Sequence, residues 1–383
     1  MLGYSQTMDV NLLRAKACLD QNKVDSALSL LNMSVNSFQK AQMKGDCYYK
    51  KKAYTTAIRF YQMADSLTPG SSCYGLSRAY AGMSDQVKAA AWIRKYLSSP
   101  TKKSELEIAK DTAFQTVSKT KEWRQVWQNE WYSASETERN AILALLSKGR
   151  VSEASSELEG NEGKFSPRYE YFYLQAKVYE KQHLLEPAIT SMEKAVTFNS
   201  FSDEYYSFYA NLLKDNKKYN DALESITKAI RINPYHPVYY LRRGEIARLA
   251  NNYVLSEKDL KLYKELYPAN VETYHQLGLL ETARGNYQNS MDYYDVLLTK
   301  DKAHAPYFME RGNLALTLNQ VQKADEDFSL ALDLNPNLTD AYLKKGNTLH
   351  ILNDPSGACF YWSKALELGS AEAAMLKKEN CKE

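Results

Sequence analysis

The sequence is poor in residues that break helices. Only 15 glycines and 10 prolines are spread over 383 residues, too few for the closely spaced hairpin turns of an all-β chain. No run of 18 apolar residues occurs, so no segment reads as a membrane-spanning helix. Neither charge sign dominates: Lys+Arg number 49 against 46 Asp+Glu, a net charge of +3. That balance supplies no electrostatic footprint for nucleic acid or an anionic membrane. The five cysteines, Cys18, Cys47, Cys73, Cys359 and Cys381, show no CxxC spacing, which argues against a zinc site or a thioredoxin-like centre. The five histidines (His183, His236, His275, His304, His350) include no pair at i, i+3 or i+4. HExxH, GxxxxGK[ST] and strand–GxGxxG patterns are missing. The residues therefore offer no catalytic constellation, no metal ligands and no cofactor site.

Tyrosine, by contrast, is abundant at 30 residues. Its large apolar body and polar tip suit half-buried helix faces and recognition surfaces. The chain is also longer than one globular core usually grows, so it either divides into domains or extends by repetition. Repetition is what the spacing shows. Ala176, Ala210, Gly244, Gly278, Gly312 and Gly346 recur every 34 residues. Twelve residues after each stands another small residue: Ala188, Ala222, Ser256, Ser290, Ala324 and Ala358. Four before each is an aromatic: Phe172, Tyr206, Tyr240, Tyr274, Phe308 and Tyr342. Pro234, Pro268 and Pro336 mark the junctions between repeats. A small residue on each of two antiparallel helices lets their backbones approach, and an aromatic fills the space beside it. The proline cannot continue a helix and sets the turn into the next unit.

This pattern resembles the tetratricopeptide repeat, most clearly over 305–338 with Phe308, Gly312, Ala324, Phe328, Ala331 and Pro336. Tyr263 and Leu297 depart from it, standing where the family favours Ala. The resemblance implies an all-α fold, an α-solenoid in which antiparallel helix pairs wind into a right-handed superhelix. Five regions are expected. An array of about three irregular repeats covers 1–100, with anchors Ala27, Ala57 and Ala89 spaced 30 and 32 residues apart. A Trp-rich helical connector covers 101–134, and a degenerate repeat and loop 135–168. Six regular repeats fill 169–372, and a capping helix 373–383. In the connector, Trp123, Trp127 and Trp131 fall at i, i+4 and i+8, one face of a single helix. They either pack the N-terminal array onto the next one or form an exposed aromatic ligand site.

The resemblance also implies a partner and a place for it. In the family the first helix of each pair lines a concave groove. Carried over by position, the groove candidates are Tyr173, Asn211, Leu241, His275, Leu279, Met309, Asn313, Leu316, Leu343 and Asn347, with Thr282, Thr317, Leu249 and Ile351 in adjoining slots. The Lys positions of a basic carboxylate clamp are filled instead by Tyr, Ser, Leu, His and Met. An acidic chain end is thus a poor fit, and an apolar peptide held by Leu and Met with backbone bonds to Asn a better one. The expected function is a non-catalytic scaffold or adaptor that binds a protein or peptide. The alternatives are an assembly factor or holdase of the cell envelope and, weakest, an enzyme. Leu2–Gln6 reads either as the tail of an export signal or as an ordinary cytoplasmic start. The segment around Ala358, Trp362, Leu368 and Cys381 resembles the ends of repeat proteins from bacteria of the Bacteroides type. Cys359 and Cys381 are either two free thiols or, in an exported protein, a disulfide.

Overall fold

The computed structural model describes residues 9–100 and 102–381; the Leu2–Gln6 segment lies outside them. Every regular element among the described residues is helical. Three pairs come first: α1 (Val10–Asp20) with α2 (Val24–Met33), α3 (Phe38–Lys50) with α4 (Tyr54–Leu67), and α5 (Cys73–Gly82) with α6 (Gln86–Leu97). The connector holds the short α7 (Glu105–Lys110) and α8 (Lys121–Val126). The degenerate pair is α9 (Ala134–Ser147) and α10 (Val151–Gly160). Six regular pairs follow: α11 (Tyr169–Lys181) with α12 (Leu185–Phe198), α13 (Asp203–Asp215) with α14 (Tyr219–Ile232), α15 (Pro237–Leu249) with α16 (Tyr253–Leu266), α17 (Val271–Ala283) with α18 (Tyr287–Lys300), α19 (Ala305–Thr317) with α20 (Val321–Leu334), and α21 (Thr339–Ile351) with α22 (Pro355–Glu367). The last helix is α23 (Ala371–Asn380). Among the described residues no helix is long and apolar enough to cross a membrane. The chain divides into two compact units, Met1–Tyr239 and Tyr240–Glu383.

One backbone feature fixes each pair. A single residue between the two helices takes the left-handed conformation: Asn22, Lys52, Ser84, Gly149, His183, Lys217, Asn251, Gly285, Asn319 and Asn353. From Gly149 to Asn353 these residues recur every 34 positions, while the first three are 30 and 32 apart. The next amide then bonds back into the helix, as Lys218 N–H does to the Leu213 carbonyl at 2.9 Å and Gln320 N–H to that of Ala315 at 2.7 Å. This satisfies carbonyls that a helix end leaves open. Asn and Gly tolerate positive φ best, which is why the polar turns of the sequence mark these sites.

The small residue of the first helix has an equally specific cause. A Cβ on Gly278, Gly312 or Gly346 would lie 2.7, 2.7 or 2.5 Å from the rings of Tyr294, Phe328 or Trp362, each sixteen residues on. Where those two slots hold Ala176 with Met192, or Ala210 with Ile226, the partner is not an aromatic. Alternate repeats add a buried ion pair one residue earlier: Arg243 to Asp259 at 2.6 and 3.0 Å, and Arg311 to Asp327 at 3.0 and 2.6 Å.

In the Met1–Tyr239 unit the connector packs on the third pair. Trp123 is buried in a cluster with Ile93, Leu97, Phe114 and Val126, against which Trp127 and Trp131 lie half-buried. The three indoles do not share one helix. Helix α8 ends at Val126, and the Trp131 indole N–H turns back to the Val126 carbonyl at 2.6 Å, so a side chain takes over from the next helical turn. At the other end of this unit Tyr235 packs against the cluster of Leu12, Leu19, Leu31 and Met43, a contact that stacking of neighbouring repeats does not anticipate. In the Tyr240–Glu383 unit, α23 covers α22, and a Cys359–Cys381 disulfide ties the end of α23 to it. Cys18, Cys47 and Cys73 are free.

Candidate functional site

The groove candidates lie on the first helices of the regular pairs, and the structure sorts them by exposure. Tyr173 is buried at 4% exposure. Its ring stacks on Tyr205 with centroids 4.3 Å apart, and its hydroxyl donates to Glu204 Oε1 at 2.5 Å. Burial and then the Glu204 carboxylate push this phenol far above its ordinary pKa. Met309 and Leu343 are likewise buried, in the cores around Phe328 and Trp362. Leu241 is half-buried against Leu260 and Leu277, and Leu316 against the Phe328 core. Asn347 is half-buried and accepts a hydrogen bond from the Trp362 indole at 2.8 Å. Asn211 is half-buried in the other unit.

Leu279 is half-buried and Asn313 exposed, and the fold brings the two to one cavity. Both line a 260 Å³ cavity with Thr282, Leu314, Thr317, Tyr287, Tyr294 and Glu310. The Thr317 hydroxyl donates to the Asn313 carbonyl at 3.0 Å and keeps acceptor lone pairs, whereas the Thr282 hydroxyl is engaged by the Gly278 carbonyl at 3.1 Å and the buried Ser290 hydroxyl at 2.8 Å. The cavity lining therefore combines apolar side chains with the exposed Asn313 amide and the Thr317 hydroxyl.

One side is charged. His275 Nε2 stands 3.0 Å from Glu310 Oε2, with Glu272 3.8 Å from its Nδ1. Tyr294 also donates its hydroxyl to Glu310. Burial pulls the imidazole pKa down, but the hydrogen bonds and charges of Glu272 and Glu310 outweigh it and hold the value up at about 9. For Glu310, burial alone favours the neutral form, yet the bonds from His275 and Tyr294 bring its pKa below the usual value. His275 is thus an imidazolium fixed in an ion pair at neutral pH. The groove positions of the sequence include neither Glu310 nor Tyr294. A regular signal marks Tyr294, the slot sixteen residues after Gly278. Glu310 fills a variable slot and carries no such mark. Among the described residues no group of three or more His, Cys, Asp or Glu is placed to hold a metal.

Comparison with known proteins agrees with the helical-repeat fold. Residues 203–236 and 305–338 match the family model for the tetratricopeptide repeat. A tetratricopeptide repeat protein from Parabacteroides merdae superposes with a TM-score of 0.52 at 19% identity, over 65% of this chain and 99% of that one. A chain of the APC/C hetero-tetramer Cut9-Hcn1 superposes with a TM-score of 0.52 at 14% identity, over 97% of this chain and 83% of that one. At the sequence level, 114 residues are 30% identical to the human protein O-mannosyl-transferase TMTC1. They cover 29% of this chain and 13% of that protein, so only a small part of the relative's length is matched. Two segments of the chain thus match the tetratricopeptide repeat, and the described residues form an α-solenoid of antiparallel helix pairs, a fold that serves in general as a platform for protein interaction.

Proposed function

We propose that this chain is a non-catalytic scaffold that holds an extended or helical peptide of a partner protein, with the cavity at Leu279 and Asn313 as its recognition point in the Tyr240–Glu383 unit. The observation that carries this reading is the meeting of apolar side chains with the exposed Asn313 amide and the Thr317 hydroxyl in one cavity on adjacent first helices, α17 and α19. Apolar side chains of the cavity take side chains of the peptide, and the Asn313 amide and the Thr317 hydroxyl meet its backbone. Tyr173, Met309 and Leu343 have a different part, since their side chains are already packed. Screening a displayed peptide library against the purified chain, then measuring the selected peptide by fluorescence anisotropy, tests the site. Leu279→Asp and Asn313→Ala should each weaken binding tenfold or more with an unchanged melting curve. Selected peptides that bind both variants as well as the parent chain would refute it.

A second setting for the same activity has one observation behind it. The Cys359–Cys381 bridge favours an oxidising compartment, since cytosolic disulfides are rare. It supports the role of a cell-envelope assembly factor or holdase. Fractionation of the native organism tests it, and recovery of the protein only in the cytosol, with five free thiols, would remove this alternative.

A further inference from the structure

The connector carries a second cavity that the groove does not use. It measures 540 Å³ and is lined by Trp127, Trp131 and Tyr132 together with Glu105, Glu130 and Glu138. We propose that this cavity binds an organic cation, an ammonium or guanidinium group with apolar flanks.

The rings are held in place before any ligand arrives. Trp131 is anchored by its indole N–H on the Val126 carbonyl at 2.6 Å, and Tyr132 by its hydroxyl on the Lys103 carbonyl at 2.8 Å. Trp127 stands edge-on to the buried Trp123, with centroids 6.5 Å apart. Fixed rings spend little conformational entropy on binding. Their faces carry the negative lobe of the aromatic quadrupole, and Trp presents the strongest such face to a cation.

The charges around the cavity agree with the rings. Glu138 is engaged by Lys164 at 3.2 Å and by the Asn161 amide at 3.0 Å. Glu105 and Glu130 are exposed, and neither has an ion pair among the described residues. Three carboxylates against the single ammonium of Lys164 leave the lining negative. An anionic ligand is repelled here, and a neutral one leaves the free carboxylates unused. The fold already applies the same chemistry next door. Lys102 Nζ lies 5.6 Å from the centre of the Tyr132 ring while paired with Glu136 at 2.6 Å. An aromatic ring backed by a carboxylate is thus an ammonium site within this connector, and the cavity repeats that pairing with unoccupied carboxylates. The site lies where the connector meets the degenerate pair and stands or falls independently of the groove.

The cation has two possible sources, a free small molecule or a Lys or Arg side chain of a partner. Isothermal titration of the full chain with tetramethylammonium and, separately, with short uncharged-end peptides bearing one Lys or one Arg distinguishes them. Saturable one-site binding of at least one of these cations is expected, weakening as salt rises. Glu105→Gln/Glu130→Gln, at two exposed positions, should reduce affinity fivefold or more, and Trp127→Leu tenfold or more. Binding of tetramethylammonium assigns a free cation; binding of the peptides alone assigns a partner's side chain. Should Trp127→Leu fail to fold, the double Gln variant still decides. The proposal is overturned if no cation binds saturably, if the double Gln variant binds them unchanged, or if a neutral oligosaccharide competes equally.

Discussion

The indole N–H of Trp362 donates to Asn347 Oδ1 at 2.8 Å, so this half-buried residue of α21 is held by the core of its own repeat. The same indole lies where a Cβ on Gly346 would intrude, at 2.5 Å. Glycine, tryptophan and asparagine at this level form one arrangement, and changing one disturbs the other two.

Gly346→Ala is therefore expected to destabilise the chain by about 1–3 kcal/mol, because the added methyl displaces a fully buried ring and its hydrogen bond. Urea denaturation followed by circular dichroism measures it. Ala210→Gly, in the slot where the facing residue is Ile226, should cost only about 1 kcal/mol from helix propensity and lost packing. An equal or larger loss at Ala210 would show that the ring is not the cause.

The His275–Glu310 pair predicts a pH dependence of definite sign. The imidazole pKa lies at about 9 in the folded chain, above its ordinary value of 6.5. Its contribution is thus complete below about pH 6.5 and fades as pH rises through about 9. With Glu310 partly exposed, roughly 1–2 kcal/mol remains after solvent screening. Melting temperatures between pH 6 and 9.5 should fall in the parent chain and stay flatter in His275→Gln. Parallel profiles would contradict the assignment.

Arg311 and Asp327 form a two-point ion pair in which Asp327 is 1% exposed. Arg311→Met leaves a buried carboxylate and should cost about 3–5 kcal/mol. Arg311→Met/Asp327→Leu should recover much of that loss, a coupling that a double-mutant cycle in urea resolves. Additive single losses would mean the two charges act separately.

Closing a 22-residue loop, the Cys359–Cys381 bridge should contribute about 3 kcal/mol to stability. Thiol titration of the denatured, unreduced chain should count three thiols, those of Cys18, Cys47 and Cys73, and five after reduction. Cys381→Ser should release α23, read as faster amide exchange over Ala371–Asn380.

Much of this protein was legible in the sequence because its rules are local. Helix pairs, their lengths and their turns follow from small residues at fixed spacing, from Asn and Gly at left-handed positions, and from prolines between repeats. Lys217, Asn251, Gly285, Asn319 and Asn353 stand at left-handed turns where the 34-residue spacing expects them. Each depends on neighbours within about one repeat, and that reach a linear pattern contains. Exposure depends on more. Tyr173 and Leu279 occupy first helices in the same array, yet one stacks under Tyr205 and the other opens into a cavity. The difference lies in which side chains the next repeat supplies. Trp131 falls on the helical face of Trp123 by count, but its indole closes the helix instead of extending it. Cys359 meets Cys381, and Tyr235 packs against the cluster of Leu12, Leu19 and Leu31, because segments far apart in sequence return to one another in space. The sequence by itself determined the repeat and its period, since backbone conformation and close helix approach are written in nearest neighbours. Only the tertiary structure decided which residues are buried and which line a cavity, since burial is a property of what packs against a side chain.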